Sequence, residues 1–380
     1  MAPKKIITTV TSDGSVIFLE GHFVCAKASG FDTILICKAG PKSSKISAIE
    51  KTKFKEVPFS REIDLRNDVL CLISLVFIFM REKPFIVNAG TPKASLLSML
   101  AAWVSGVPYR IYTQHGFRHE SLHGLARVIQ ILMERITCHL ATHVICVSPS
   151  VRHLGIASGF FSESKSRVLG MGSCGISLGR LRDGVSHGPS SEEIKAELGM
   201  QQQDFVIGFV GRLIPRKGVE ELVSVFIDIS DSRPNIKLLL VGRVEEAQPI
   251  SEWCLNMIRN HDHIIEAGYQ TNVAAYMRVM NLFCMPSHWE GFGNTLVEAA
   301  YLGLPVITSN GTGSRDAVKN DYNGTVVPVG DKDALKRTIT RYLDSPDILE
   351  KHSKNGPSWA MQFDREVVNN ELVAFYKTLS

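Results

Sequence analysis

A chain of 380 residues exceeds the roughly 250 to 300 at which a single hydrophobic core stops growing, so two domains are expected and a small binding module is excluded. With 44% hydrophobic and 21% charged residues it is neither disordered nor fibrous. The net charge of +4 conceals an asymmetry: residues 1–185 hold 23 Lys and Arg against 13 Asp and Glu, a net +10, and the remainder is −6, so the first half is expected to face an anionic partner.

The chain opens Met-Ala-Pro-Lys-Lys, and the apolar run after it is too short for a signal core, which makes a cytoplasmic location the expectation. Short β-branched runs then alternate with longer helical patterns, the sequence form of βαβ units and parallel sheets. Strands are expected at Lys5 to Val10, Thr33 to Cys37, Phe85 to Asn88, Tyr109 to Thr113 and His143 to Val147. The longest apolar run, Val69 to Met80, has 12 residues where a membrane span needs about 20, so it reads as a buried or interfacial helix. Lys93 to Ser105 has helical spacing and stops at Gly106, and Gly116 to His139 reads as a loop followed by a long helix.

From Cys174 to Ser191 the composition turns to Gly, Ser, Arg and Pro, as in an interdomain linker. A second alternating series follows at Phe205 to Val210, Lys237 to Val241, Ile264 to Ala267, Leu282 to Met285 and Val306 to Thr308, and Phe363 to Thr378 closes the chain as an amphipathic helix. The eight cysteines are scattered without a CxxC pair and read as buried free thiols. The fold class is therefore α/β, with two Rossmann-like doubly wound domains facing across a cleft. Residues 1–185 form the first domain and 186–360 the second, and 361–380 form a helix returning to the first.

In open parallel sheets ligands bind beyond the carboxyl ends of the strands, so chemistry is expected in post-strand loops. The strongest signal is Gly208-Phe-Val-Gly211-Arg212-Leu-Ile-Pro-Arg-Lys217-Gly218, a strand running into a glycine turn with spaced cations and then a helix. Gly211 lets the backbone come close to a ligand, and Arg212 and Lys217 can converge on a diphosphate. The second is Pro286-Ser-His-Trp-Glu290-Gly291-Phe292-Gly293-Asn294-Thr295-Leu-Val-Glu298, where two carboxylates bracket a glycine-rich turn that opens a helix. Amides at that helix start are open to phosphate oxygens, and carboxylates beside an anion make sense as binders of ribose and sugar hydroxyls.

Together these motifs resemble the retaining, nucleotide-sugar-dependent glycosyltransferases of family 4, which have the GT-B fold. Gly303-Leu-Pro305-Val-Ile and Asn323-Gly324-Thr-Val-Val-Pro328 extend the match. In the first half, Thr91-Pro92-Lys93-Ala94, Gly106-Val-Pro108-Tyr109-Arg110, Gln114-His115-Gly116 and Val147-Ser148-Pro-Ser150 resemble the bacterial branch that extends polyprenyl-diphosphate-linked sugars for O-antigen, capsule or protein glycans. The resemblance implies that Arg212 and Lys217 hold the donor diphosphate, that Glu298 takes the ribose hydroxyls and that Glu290 touches the hexose. It implies further that the backbone of Gly291, Phe292, Gly293, Asn294 and Thr295 contacts sugar and phosphate. His115 is placed by it near the anomeric centre, and Asp13, Gly14, Ser15, Lys93 and Arg118 on the acceptor side. It departs at Gly172-Ser173-Cys174-Gly175-Ile176-Ser177, where the branch usually carries Asn-Gly and an Asp.

Two look-alikes are set aside. Gly170-Met-Gly172-Ser-Cys-Gly175 fits the dinucleotide-binding pattern, but the Ile-Ser-Leu-Gly-Arg-Leu after it reads as a broken pattern and no acidic residue ends a following strand. Asp331-Lys-Asp333 reads as a helix cap rather than a metal ligand. The expected activity is transfer of a hexose or N-acetylhexosamine from a UDP-sugar to a polyprenyl-diphosphate-linked saccharide, with an α bond formed and no metal or cofactor required. The enzyme is expected at the inner face of the plasma membrane, its basic first domain on an anionic surface. Nucleic acid is not expected, because the basic residues lack interleaved aromatics. The rival readings are a UDP-sugar epimerase of the same fold and a non-catalytic sugar-nucleotide-binding subunit.

Overall fold

The structure, a computed structural model, describes residues 3–60 and 64–379. Its strands are β1 (Lys5–Thr9), β2 (Asp32–Cys37), β3 (Lys53–Glu56), β4 (Ile86–Gly90), β5 (Tyr109–Gln114), β6 (His143–Cys146), β7 (Ser166–Val168), β8 (Phe205–Val210), β9 (Ile236–Val241), β10 (Ile264–Gly268), β11 (Leu282–Met285), β12 (Val306–Ser309) and β13 (Gly324–Val327). They form two all-parallel sheets, ordered β3-β2-β1-β4-β5-β6-β7 and β10-β9-β8-β11-β12-β13. In each, the chain starts at an inner strand, works outward on one side and then crosses back, so the winding reverses between β1 and β4 and between β8 and β11. This is the doubly wound α/β architecture expected, and the loops after those four strands are where ligands are bound in such sheets.

The central strands carry no polar alternation because helices cover both faces. Ile6, Ile7, Ile34, Leu35 and Ile36 are all buried, as are Val206, Ile207, Phe209 and Leu238 in the second sheet. All ten expected strands are present. The three missed, β3, β7 and β13, are edge strands: β3 reads Lys-Phe-Lys-Glu and β7 is three residues long, the short, charged character that blunts a sheet edge.

The chain divides into two compact units, one running to Gly175 and resuming at Arg365, the other Ile176–Asp364. Both limits differ from the expected 185 and 360. The segment read as a linker with a broken pattern contains a helix, Leu178–Ser186, that packs on the helix Val273–Met277 of the second unit. Asn272 Nδ2 donates to the Gly184 carbonyl at 2.7 Å, a tertiary anchor with no local signature. At the other end, Phe363 stays with the second unit, its ring 5.0 Å from that of Phe292. The last helix, Arg365–Thr378, belongs to the first unit as expected: Val373, Phe375 and Tyr376 pack with Ile6 and Ile86, and Asn88 Nδ2 donates to the Tyr376 hydroxyl at 2.7 Å.

All eight cysteines are free, six of them buried. Asp331 caps the helix Lys332–Asp344, its carboxylate accepting from Ala334 N at 2.8 Å. Among the described residues no helix is long and apolar enough to cross a membrane.

Candidate active site

In the second unit the loops after β8 and β11 are locked together by a glycine. Gly218 has φ +72°, and a Cβ there would stand 2.2 Å from the Pro286 carbonyl oxygen, so only glycine lets the two loops approach. It ends the single turn Pro215–Lys217 and opens the helix Val219–Ser230. That junction brings three charged side chains of the two motifs into contact. Lys217 Nζ stands 2.8 Å from Glu290 Oε1, Arg216 Nη1 stands 3.5 Å from Glu290 Oε2, and the Ser287 hydroxyl donates to Oε1 at 3.2 Å.

Burial pushes the Glu290 carboxyl up, but Lys217, Arg216 and Ser287 outweigh it and hold the group ionised, below its ordinary value. Arg216 also lies over the Trp289 ring, 4.5 Å from its centroid, and donates to the Trp289 carbonyl at 3.1 Å. The Met285 sulfur sits beneath, 3.7 Å from Lys217 Nζ and 3.5 Å from Thr295 Oγ1.

Gly293, with φ +82°, turns the chain into the helix Asn294–Tyr301, whose first amides begin beside this cluster, and Glu298 lies partly buried along it. Phe292 is buried against Phe363, so its ring is core. Arg212 stands apart: it is half-exposed and paired with Glu245 at 3.3 Å. Of the two cations expected at the diphosphate, Lys217 stands at the Glu290 carboxylate, where Arg216 joins it, and Arg212 is paired with Glu245. Arg216 and Lys217 are adjacent in sequence, and a stacking aromatic precedes Glu290, which is the signal that marks Arg216.

A third loop, missed in the sequence, completes the site. Glu290 N donates to the Thr312 carbonyl at 2.8 Å, and a Cβ on Gly313 would meet the Glu290 carbonyl oxygen at 2.2 Å. The Gly-Thr-Gly run after β12 was the available clue.

In the first unit His115 follows β5 and lines a cavity of about 60 Å³ at the strand ends, together with Phe18, Gly90, Thr91, Ser173 and Cys174. Its Nδ1 is 3.3 Å from the Cys174 sulfur and its ring 5.7 Å from Phe18. Burial lowers its pKa to about 4, which leaves the imidazole neutral near pH 7. Thr91 and Ser173 hold φ of +73° and +76° without being glycine. Such strain persists where the surroundings over-determine it, and here the Thr91 hydroxyl is held by Thr11 Oγ1 at 2.7 Å and Thr11 N at 3.0 Å. Beneath the loop, Gln114 accepts from Gly116 N at 3.0 Å and donates to the buried Glu134, whose carboxyl burial raises to about 7.

The acceptor-side residues are each engaged within the fold or exposed. Asp13 caps the helix Pro41–Ile49, accepting from Ser43 N at 2.6 Å and Lys42 N at 3.2 Å, while Gly14 is exposed and Ser15 bonds Ser12. Lys93 is buried and spent on Asp68 at 2.8 Å and Ser60 at 3.0 Å, because a buried ammonium needs a counter-ion. Arg118 is exposed on the turn Arg118–Ser121. Among the described residues no three His, Cys, Asp or Glu side chains stand close enough to hold a metal ion.

Residues 190–359 match the family described as Glycosyl transferases group 1, and residues 25–172 match Glycosyltransferase Family 4. Over its full length the chain is 32% identical to the capsular polysaccharide biosynthesis glycosyltransferase CapM of Staphylococcus aureus, of which it covers 98%. It is 27% identical over 333 residues to the UDP-Gal:alpha-D-GlcNAc-diphosphoundecaprenol alpha-1,3-galactosyltransferase of Escherichia coli, covering 86% of this chain and 84% of the other. Among solved structures, Anabaena Alr3699/HepE in complex with UDP and glucose is similar with a TM-score of 0.78, over 99% of this chain and 100% of that one, at 17% identity, a likeness of fold.

Proposed function

Since this chain belongs to the GT-B glycosyltransferases of the group 1 and family 4 type, acting in capsule or glycan biosynthesis, we propose that it transfers a hexose or N-acetylhexosamine from a UDP-sugar to a polyprenyl-diphosphate-linked saccharide, with retention. The observation that carries the donor half is the cluster of Lys217, Arg216 and Glu290 at two helix starts. Two cations and the amides from Gly291 to Thr295 suit a diphosphate, and a carboxylate held ionised between them accepts hydrogen bonds from hydroxyls of the attached sugar. The likeness to a UDP-galactose transferase acting on a diphosphoundecaprenol-linked sugar supports the choice of donor and acceptor class.

In the reaction the bond from the anomeric carbon to the diphosphate breaks and the bond to the acceptor oxygen forms on the same face. The acceptor proton passes to the departing phosphate oxygen. Stabilising negative charge on that leaving group is the main catalytic task, and Lys217 and Arg216 perform it. Neutral His115 is assigned to a hydroxyl of the transferred sugar. With two cations for the diphosphate, the reaction is proposed to run without a metal; activity in EDTA equal to that in Mg²⁺ is the expected result, and loss of activity in EDTA with rescue by Mg²⁺ would contradict it.

The test is a screen of UDP-sugars against a short-chain polyprenyl-diphosphate saccharide, read by mass. One added sugar unit on the acceptor is expected. Conversion of a UDP-sugar in the absence of acceptor would assign the chain as an epimerase instead.

A further inference from the structure

The two nitrogens of the His115 ring stand in different surroundings. Nδ1 faces the Cys174 sulfur at 3.3 Å. Nε2 faces Gly90 at the end of β4, where a Cβ would stand only 2.8 Å away, so glycine keeps that nitrogen clear. Gly90, Thr91, His115 and Cys174 all line the cavity at the strand ends.

Cys174 is brought to the ring by a turn of unusual backbone. Gly172, Ser173 and Gly175 have φ of +114°, +76° and +87°, and Ser173 holds that value without being glycine. The turn is fixed within the first unit. Ser173 N donates to the Val147 carbonyl at 2.6 Å, Gly175 N donates to the Ser173 hydroxyl at 3.1 Å, and a Cβ on Gly175 would stand 2.8 Å from Arg365 Cα. Strain held this firmly points to the contact that it serves, here the one between Cys174 and His115.

The proton at that contact has one favourable place. Burial pushes the Cys174 thiol up to about 12 and the imidazole down to about 4, so near pH 7 both groups are neutral, with one S–H and one ring N–H to place. An unprotonated imidazole nitrogen is a good acceptor, and a thiol sulfur is a weak one. Donation from Sγ to Nδ1 therefore prevails over donation from Nδ1 to Sγ, and the ring proton is left on Nε2.

We propose that Cys174 is a positioning residue for His115: its thiol donates to Nδ1, fixes the tautomer with the proton on Nε2, and so presents an N–H donor to the cavity beside Gly90. This deepens the proposed function and rests on it for the ligand, a hydroxyl oxygen of the transferred sugar that accepts from Nε2. A ring of the opposite tautomer would offer that hydroxyl only a lone pair.

The experiment is nitrogen NMR of the full chain carrying isotope-labelled histidine, the His115 signals being those that vanish in His115→Gln. Near pH 7 and without substrate, the wild type is expected to show Nδ1 as an unprotonated, hydrogen-bonded nitrogen and Nε2 as a protonated one. In Cys174→Ala the two signals should move toward one another as the second tautomer becomes populated. In Cys174→Ser, which restores an O–H donor, they should stay near their wild-type positions. Transfer should follow the same order, about tenfold slower in the alanine variant, the worth of one ordinary hydrogen bond, and within about twofold of wild type in the serine variant. The Kd for UDP, assigned to Lys217 and Arg216, should be the same in all three. The proposal is overturned if the wild type carries its proton on Nδ1, if the alanine variant gives the wild-type spectrum, or if all three transfer at one rate despite different spectra. The spectra need no substrate, so a wild type that shows the expected tautomer but transfers no sugar would count against the proposed function and not against the tautomer.

Discussion

Glu290 and Lys217 neutralise one another across two loops, Oε1 to Nζ at 2.8 Å, with Arg216 adding a second positive charge on the other carboxylate oxygen. The resting site thus carries an excess of one positive charge, matched to an anion that can displace or share the carboxylate. Removing the carboxylate charge separates its two roles. In Glu290→Gln, UDP alone should bind several-fold more tightly, because Lys217 no longer has a buried competitor. Transfer from the UDP-sugar should fall by about a hundredfold, equivalent to about 3 kcal/mol of lost sugar contact. Calorimetric titration and initial rates read the two effects, and weaker UDP binding would contradict the arrangement.

Lys93 illustrates a residue whose placement revises its expected role. Its ammonium is buried against Asp68, and breaking such a pair leaves an uncompensated charge. Lys93→Ala is expected to cost about 3 kcal/mol of stability in urea unfolding, while the KM for acceptor in the surviving folded fraction stays within about twofold. A large rise in KM at unchanged stability would restore the acceptor role.

His22 is buried and its pKa is pushed to about 4 by burial. The unfolded chain therefore binds a proton that the folded chain refuses, so stability contributed by neutral His22 is present above pH about 6.5 and is lost as pH falls toward 4. The loss amounts to about 3 kcal/mol from this residue. In His22→Gln the stability deficit relative to wild type should shrink by that order between pH 7 and pH 4.5 in urea titrations. A pH-independent deficit would show that the ring titrates normally.

Glu134 has the opposite sign. Its pKa is raised to about 7 by burial beneath Gln114, so the folded state holds a proton that the unfolded state releases, and stability falls as pH rises from about 4.5 through 7. Glu134→Gln, which keeps an acceptor for Gln114, should gain up to about 3 kcal/mol on wild type between pH 5 and pH 8, with transfer activity retained. An unchanged difference across that range would contradict a protonated native carboxyl.

Sequence pattern captured the elements whose burial is continuous. The inner strands are apolar on both faces, and β8 and β11 run into loops whose glycines and charges have few structural readings. What escaped was decided by partners distant in sequence. Leu178–Ser186 is helical although its glycines argue against it, because Asn272 anchors its end. The edge strand β3 hides in alternating lysines. At the site, the motif disclosed the cations and the acids but not their pairing: Arg212 is paired with Glu245, and Arg216 stands with Lys217 at Glu290. Asp13 and Lys93 are expected on the acceptor side, whereas a helix N-terminus and a partly buried aspartate engage them.

The central claim, that the Lys217 ammonium receives the donor diphosphate, is tested most directly by calorimetric titration of UDP into wild type and Lys217→Ala, both in EDTA. Loss of one charge-assisted contact of about 1.5 to 3 kcal/mol predicts at least about a tenfold rise in Kd for the variant. Equal affinities for UDP would contradict the account.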